Sequence, residues 1–423
     1  MTETNLIKQK FKSAVQRGTG EAHLLMQGHP DLDFSALIIK ACIKNFAYDG
    51  QCESSRIGYL FELIKLSNQE YKIKEAILKA LLTPQKDTWT LTQLFELALL
   101  FAKQGDIRAR QVIYDAFVSN PMWGSDWAGT YQIVELDGMK GLEFIAEEFG
   151  KRLSNNPEDW HDDDLIKYFQ GKNPDIDVWA TLDKQAEQNC FVKFHVDNVR
   201  EITARQAAHS TRLRPVYKDI VEEVLLTKSR FKIWNFKDDG AGLNLIAERL
   251  ATEKNRNNIE KLLLVFTQNE YPLDSNIILN LARHGANKKI RQRAINALQF
   301  LQGEEIRQFV IDHITTVKNP QDYVKGLRSN YQPGDHELLT QLVEKCNNAS
   351  ALESLVIHYQ DIYRNNPTPE CRGPLEALYN KHTCALCREH TVEILIDNGV
   401  LSDKIKSEIR FDCNEGIRQL YED

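Results

Sequence analysis

Apolar residues recur along most of this chain at intervals of three and four, with charged or amide residues between them. That spacing lines one face of an α-helix. "DFSALIIKACIKNF" opens with Asp33, a residue suited to cap a helix, and brings Leu37, Ile38, Cys42 and Phe46 near one stripe. "EYKIKEAILKALLTPQ" repeats the pattern and is stopped by Pro84, while "TLTQLFELALLFAKQGD" ends at Gly105 and "IRARQVIYDAFVSNP" at Pro121. Further along, "NLIAERLATEK", "NIEKLLLVFTQNEYP", "NIILNLARHGA", "KKIRQRAINALQFLQG" and "EIRQFVIDHITTVKNP" read the same way. No stretch alternates as a half-buried strand does. Short polar turns with Gly, Pro, Asn or Asp separate the elements, so consecutive helices are expected to lie antiparallel.

More than twenty such helices in succession predict an all-α protein, and stacked hairpins rather than one bundle. Each hairpin would hide its apolar stripe only against the next. The expected architecture is an α-solenoid, a right-handed superhelix. Its N-terminal half, 1–170, is less regular. An irregular junction at 171–235 holds "GKNPDID" and "SRFKIWNFKDDGAG", and regular repeats fill 236–423.

Three helices carry an apolar residue followed by arginine in their first turns: Ile290-Arg291, Cys387-Arg388 and Ile417-Arg418. An arginine on a packed face needs a carboxylate or backbone carbonyls. For Arg418 an acid stands six residues upstream, Asp412 in "DCNEGIR". This pattern resembles the HEAT-repeat family, including its shorter bacterial variants, whose turns carry an aspartate followed six residues on by arginine. "GANKKIR" keeps Ile290 and Arg291 with Gly285 in place of the acid, and "HTCALCR" has His382 there. The resemblance implies Arg291, Arg388, Asp412 and Arg418 as a structural ladder and a fold of helical hairpins. It attaches no activity.

Composition narrows the class further. The 423 residues are 42% hydrophobic and 27% charged, as in a folded protein with a sizeable core. No run of about 18 apolar residues appears, and the first twenty residues lack a signal-type apolar core, so a cytoplasmic protein without a membrane partner is expected. The net charge of −7 is concentrated: residues 101–200 hold 18 acids against 11 bases, while 201–350 hold 18 against 22. That balance argues against a dedicated nucleic-acid binder.

Candidate chemistry is sparse. "HTCALCREH" packs two cysteines and two histidines into nine positions, and Cys371, Cys384, Cys387 and Cys413 could supply four zinc ligands. On a helical wheel Cys384 and Cys387 fall in the apolar arc, where free cysteine packs as a small hydrophobe, and that reading is preferred. No cofactor is expected. "PEDWHDDDLIKYF" reads as a solvated helix start, because acids favour that end of the dipole. "FAYDGQCESSRIGYL" gathers Tyr48, Asp49, Glu53 and Arg56 at a corner, either a pocket wall or a turn satisfied internally. Trp123 and Trp127 form an aromatic pair four residues apart.

"DVWATLDKQAE" sets Trp179 and Asp183 side by side on one helix face. This resembles the HEAT-like alkylpurine DNA glycosylases, in which an aromatic ring and a carboxylate stabilise a cationic base. Arg205, Arg212 and Arg214 nearby would then contact phosphate or another partner. The leading expectation is a non-enzymatic scaffold whose concave face binds a protein partner. A nucleic-acid reader or glycosylase using Trp179 and Asp183 stands second.

Overall fold

The computed structural model describes residues 2–119, 127–209, 215–238 and 240–421, with backbone alone at 207–209. Among these the chain forms 26 α-helices and three short 3-10 turns, and no strand. No helix among the described residues is long and apolar enough to cross a membrane. Helix starts follow their capping residues. Asp87, Asp177, Asn287 and Asn348 each accept a hydrogen bond from the backbone N–H three residues on, at 2.8–2.9 Å. Each such cap is worth about 1 kcal/mol. Asp33 works one position further out. It accepts from the Ser35 N–H at 2.8 Å, and the helix Ser35–Cys42 ends short of the expected Phe46.

The chain divides into two compact units. The first comprises Met1–Leu213 together with Glu408–Arg418, the second Arg214–Ser407 with Gln419–Asp423. Residues 408–418 pack on the first helix pair. The Cys413 N–H donates to the Gly18 carbonyl at 2.8 Å, and the Phe411 ring stacks on His23 at 4.2 Å. Gly20 permits this approach: a Cβ there would stand 1.9 Å from the Glu408 carbonyl oxygen.

In unit 1, helices touch the next helix and the next but one. Thr88–Lys103 packs on Glu70–Leu81 and Ile107–Ser119, and also on Ile57–Leu66 and Thr130–Asp137. The helix Met139–Asn155 runs along Cys190–His209. They approach closely at Gly150, where a Cβ would lie 1.8 Å from the Phe191 carbonyl oxygen. Only a residue without Cβ lets the two backbones approach so closely.

Unit 2 repeats one device. Asn269 Nδ2 donates to the carbonyls of Val265, four residues back, and of Phe236, two helices earlier, at 2.8 and 2.9 Å. Gln299 does the same to Asn296 and Thr267 at 2.8 and 3.2 Å, and Asn330 to Gly326 and Leu301 at 2.9 and 2.8 Å. Asn366 bridges Ile362 and Arg328, both at 2.8 Å. The four amides recur at steps of 30, 31 and 36 residues, and each reaches a carbonyl within two residues of the previous amide. Arg307 adds a two-pronged, largely buried pair with Asp335, both bonds at 2.8 Å.

The arginines after apolar residues also turn to carbonyls. Arg291 donates to Gly285 at 2.8 Å and Arg418 to Asp412 at 2.6 Å, each six residues upstream. Asp412 thus offers Arg418 its backbone oxygen, while its carboxylate accepts from the Asn414 N–H at 2.9 Å. Arg388 is buried on the helix Ala385–Asp397, only 1% exposed.

Two outcomes follow from this packing. Gly150→Ala should lower stability by about 1–3 kcal/mol, the usual cost of overpacking, read as a denaturation midpoint shift. Asn330→Ala should cost about 1–3 kcal/mol per backbone group stripped of its partner. Hydrogen exchange would show the loss first at Gly303, whose N–H donates to Asn330 Oδ1 at 3.0 Å.

Candidate functional site: an aromatic cavity in unit 1

The residues singled out in the sequence take separate places. Glu53 and Arg56 form a buried pair at 2.8 Å. Glu53 also accepts from the N–H groups of Tyr48 and Asp49, at 2.8 and 3.3 Å, and Arg56 donates to the Gln16 carbonyl at 2.8 Å. The corner satisfies itself, around a small hollow of about 90 Å³. Trp179 and Asp183 do share a face of the helix Val178–Ala186. Arg200 engages both, pairing with the Asp183 carboxylate at 2.9 Å and lying over the Trp179 ring at 5.0 Å. Arg205 is exposed and paired with Glu201. Trp123, Arg212 and Arg214 lie outside the described residues.

Among the described residues the four cysteines do not gather as one set of ligands. The Cys413 sulfur lies against Gly18. Burial pushes the Cys371 thiol up to about 11, so it stays a thiol and packs as a hydrophobe.

A wider hollow lies elsewhere, a cavity of about 960 Å³ within unit 1. Its wall is aromatic: Trp89, Trp127, Tyr131, Phe149 and Trp160, with His161 and His195. Trp89 opens the helix Thr88–Lys103, with its ring 5.9 Å from that of Trp127. Tyr131 stands at the start of the helix Thr130–Asp137, edge-on to Tyr168 at 4.8 Å. Phe149 stands on Met139–Asn155, and His161 stacks on it at 4.1 Å with near-parallel rings. His195, on Cys190–His209, meets His161 edge-on at 5.5 Å. The Gly150 approach described above therefore sets the distance between the two helices that carry this floor.

The remaining side of the cavity is 156–163, between Met139–Asn155 and Asp164–Lys172. Asn198 holds this segment from beneath, its Oδ1 accepting from the His161 N–H at 3.0 Å and its Nδ2 donating to the Asp159 carbonyl at 3.4 Å. Trp160 projects from it with 58% of its surface exposed. Asp159, Asp162 and Asp164 line the same side. The acidic stretch is thus a cavity wall, which its helix-start composition did not reveal.

Electrostatics favour a cation here. Burial, then Asp164 and Asp162, raise the Tyr131 phenol above its ordinary pKa. The cationic residue of the wall, Arg152, is already engaged: it donates to the Phe117 carbonyl at 2.7 Å and lies over the rings of Phe117 and Phe149. His195 is 4% exposed, and burial, together with neighbouring His161, holds its imidazole down to about 3. It is therefore neutral, and its Nδ1 is buried without a hydrogen-bond partner. An unmet polar atom costs about 1–3 kcal/mol, which a ligand supplying a partner would recover.

No family model, curated protein or solved structure matches this chain.

The buried imidazole fixes a pH dependence. Between about 3 and 6.5 the unfolded histidine binds a proton that the folded one refuses, so stability rises with pH across that window and is lost on acidification. From pH 7 to 5 the loss from His195 is about 2 kcal/mol. His195→Gln should flatten that part of the profile, as read by urea denaturation at the two pH values.

Proposed function

We propose that this chain is a non-catalytic α-solenoid of HEAT-like hairpins that binds a protein partner, and that the cavity of unit 1 receives a basic side chain of that partner. Within each unit, helices that touch the next but one support the stacked-hairpin reading, as do the amides stepping through unit 2. The single observation that carries the binding reading is the cavity itself. Three tryptophans and a tyrosine surround a space edged by three aspartates, with the nearby arginine already spoken for.

Aromatic faces attract lysine and arginine through the negative face of the ring, and more strongly once water is excluded. Carboxylates at the rim steer a basic segment and fix its register. A protein fits better than a small ligand because Trp160 and Trp127 stand open at the surface, 58% and 39% exposed. Half-exposed tryptophans beside a pocket are the anchors that binding energy concentrates on. Among the described residues of the cavity none is arranged as a nucleophile beside a base, and binding is the activity proposed.

The test is affinity capture from the protein's own cells after nuclease treatment, with cross-linking to locate the contact. Wild type should retain a partner whose cross-linked segment carries lysine or arginine. Trp160→Ala should weaken that complex by about 30-fold, the loss of one anchoring residue. Asp162→Asn with Asp164→Asn should weaken it chiefly at low salt. Capture that both variants leave unchanged, or that nuclease abolishes, would overturn the proposal, and the second result would favour a nucleic-acid ligand.

A further inference from the structure

The motif "HTCALC" meets an acid from another helix. His382 follows the helix Arg372–Lys381, Cys387 lies in the first turn of Ala385–Asp397, and Glu353 comes from Ala349–Asn365. All three belong to unit 2. One ligand atom from each lies within 4.8 Å of the other two. The Glu353 carboxylate sits between the other two groups. Its Oε2 is 2.6 Å from His382 Nε2 and its Oε1 is 3.7 Å from Cys387 Sγ.

We propose that Glu353, His382 and Cys387 bind a zinc-class divalent cation. Thiolate, imidazole and carboxylate together are a borderline-soft set, suited to zinc and poorly suited to magnesium or calcium. The charges balance, since one thiolate and one carboxylate neutralise a doubly positive ion inside unit 2. Cys387 is a thiol in the metal-free state, so it gives up its proton when the Sγ–metal bond forms, and binding releases that proton to solvent. Three protein ligands leave a fourth position for water or for a sulfur. Cys384, whose Sγ accepts from the Cys387 N–H at 3.4 Å, is the adjacent sulfur.

The supporting atoms are already in place. Gln360 donates to the Cys387 carbonyl at 2.6 Å, and Thr391 donates to the same oxygen at 2.8 Å. Both bonds fix the backbone that presents the sulfur. On the histidine side, Lys381 donates to the carbonyls of Val343 and Glu344 at 2.9 and 2.6 Å, and the His382 N–H to Leu378 at 2.8 Å. Ligands held in this way lose little freedom on binding. A cysteine–histidine–acid catalytic set is a poorer account. There the imidazole must take the proton from sulfur, whereas here the carboxylate is the sulfur's partner, and neighbouring Cys384, burial and Glu353 all push the Cys387 thiol up.

The test uses the full chain, dialysed free of metal and titrated with zinc and with cobalt. Wild type should take up about one equivalent and show a thiolate-to-cobalt charge-transfer band, with thermal unfolding shifted upward by metal and back by chelator. Cys387→Ser should abolish the band. Glu353→Gln keeps a neutral partner for His382, and should weaken binding by more than about tenfold. Cys52→Ser, at an exposed cysteine, should leave both unchanged. Circular dichroism on each variant confirms that the helices persist. No uptake by wild type, or uptake by Cys387→Ser and Glu353→Gln as tight as by wild type, would overturn the site.

Discussion

A protein assembled from many short helices is governed by what happens at their ends. Each helix leaves four carbonyls without an intrahelical donor, and burying them unpaired costs more than the apolar contacts of one turn return. This chain meets that constraint with side-chain donors that reach two ends at once. Asn269, Gln299, Asn330 and Asn366 each hold a carbonyl of their own helix or turn and one that lies two helices earlier. Lys261 and Lys381 do similar work, donating to pairs of carbonyls 34–38 residues upstream. An apolar stripe tells two helices to pack but tolerates sliding between them. A shared amide does not, because a shift of one residue breaks its long-range bond while the local bond keeps the side chain in place. Register in unit 2 therefore rests on these donors, and the apolar core fills in around a spacing they have set.

Unit 1 solves a related problem by close approach. Where Met139–Asn155 passes Cys190–His209, Gly150 brings a backbone within reach of the Phe191 carbonyl. Two helices drawn together at one end of their contact leave room beyond it, and the connecting residues 156–163 are held by Asn198 rather than packed into the seam. The cavity is the result. Its floor is costly, since two imidazoles and a phenyl ring stack in a buried layer and His195 keeps an unmet nitrogen. A core built only for stability would place leucine there. Local frustration of this kind is a cost that apolar packing alone would avoid.

The helices were legible because their signal is local. Stripe, cap and stop all lie within one element, so Asp33, Pro84 and Gly105 mark boundaries that the structure keeps within a few residues. The candidate site was not legible, for the opposite reason. Trp89, Tyr131, Phe149, Trp160 and His195 come from five elements spread over more than a hundred residues, and each alone reads as a core or surface aromatic. "PEDWHDDDLIKYF" was recognised for its acids, yet its sequence says nothing of the wall opposite. The docking of 408–418 on the first helix pair was likewise hidden. "DCNEGIR" carries a repeat's arginine and turn, and those features describe its own hairpin and not its neighbour. Gly18 and Gly20 were the available hint: two glycines one residue apart between helices announce that another backbone passes close by.

The cysteines make the same point about local and distant information. Spacing alone puts Cys384 and Cys387 on one turn of one helix, and from there Cys371 and Cys413 look like natural companions. Burial separates them by chemistry. Burial pushes the thiols of Cys42 and Cys371 up, and among the described residues neither belongs to a cluster of metal-ligand groups. Cys387 instead faces a carboxylate, which in turn faces an imidazole. A thiol packed as a hydrophobe gains nothing from such company, since the carboxylate must give up water to be there. The acid that distinguishes Cys387 lies 34 residues upstream on another helix, and no pattern in the cysteine spacing points to it. What gives this cysteine its potential chemistry is Glu353, a residue that sequence alone offers no reason to single out among the glutamates of the chain.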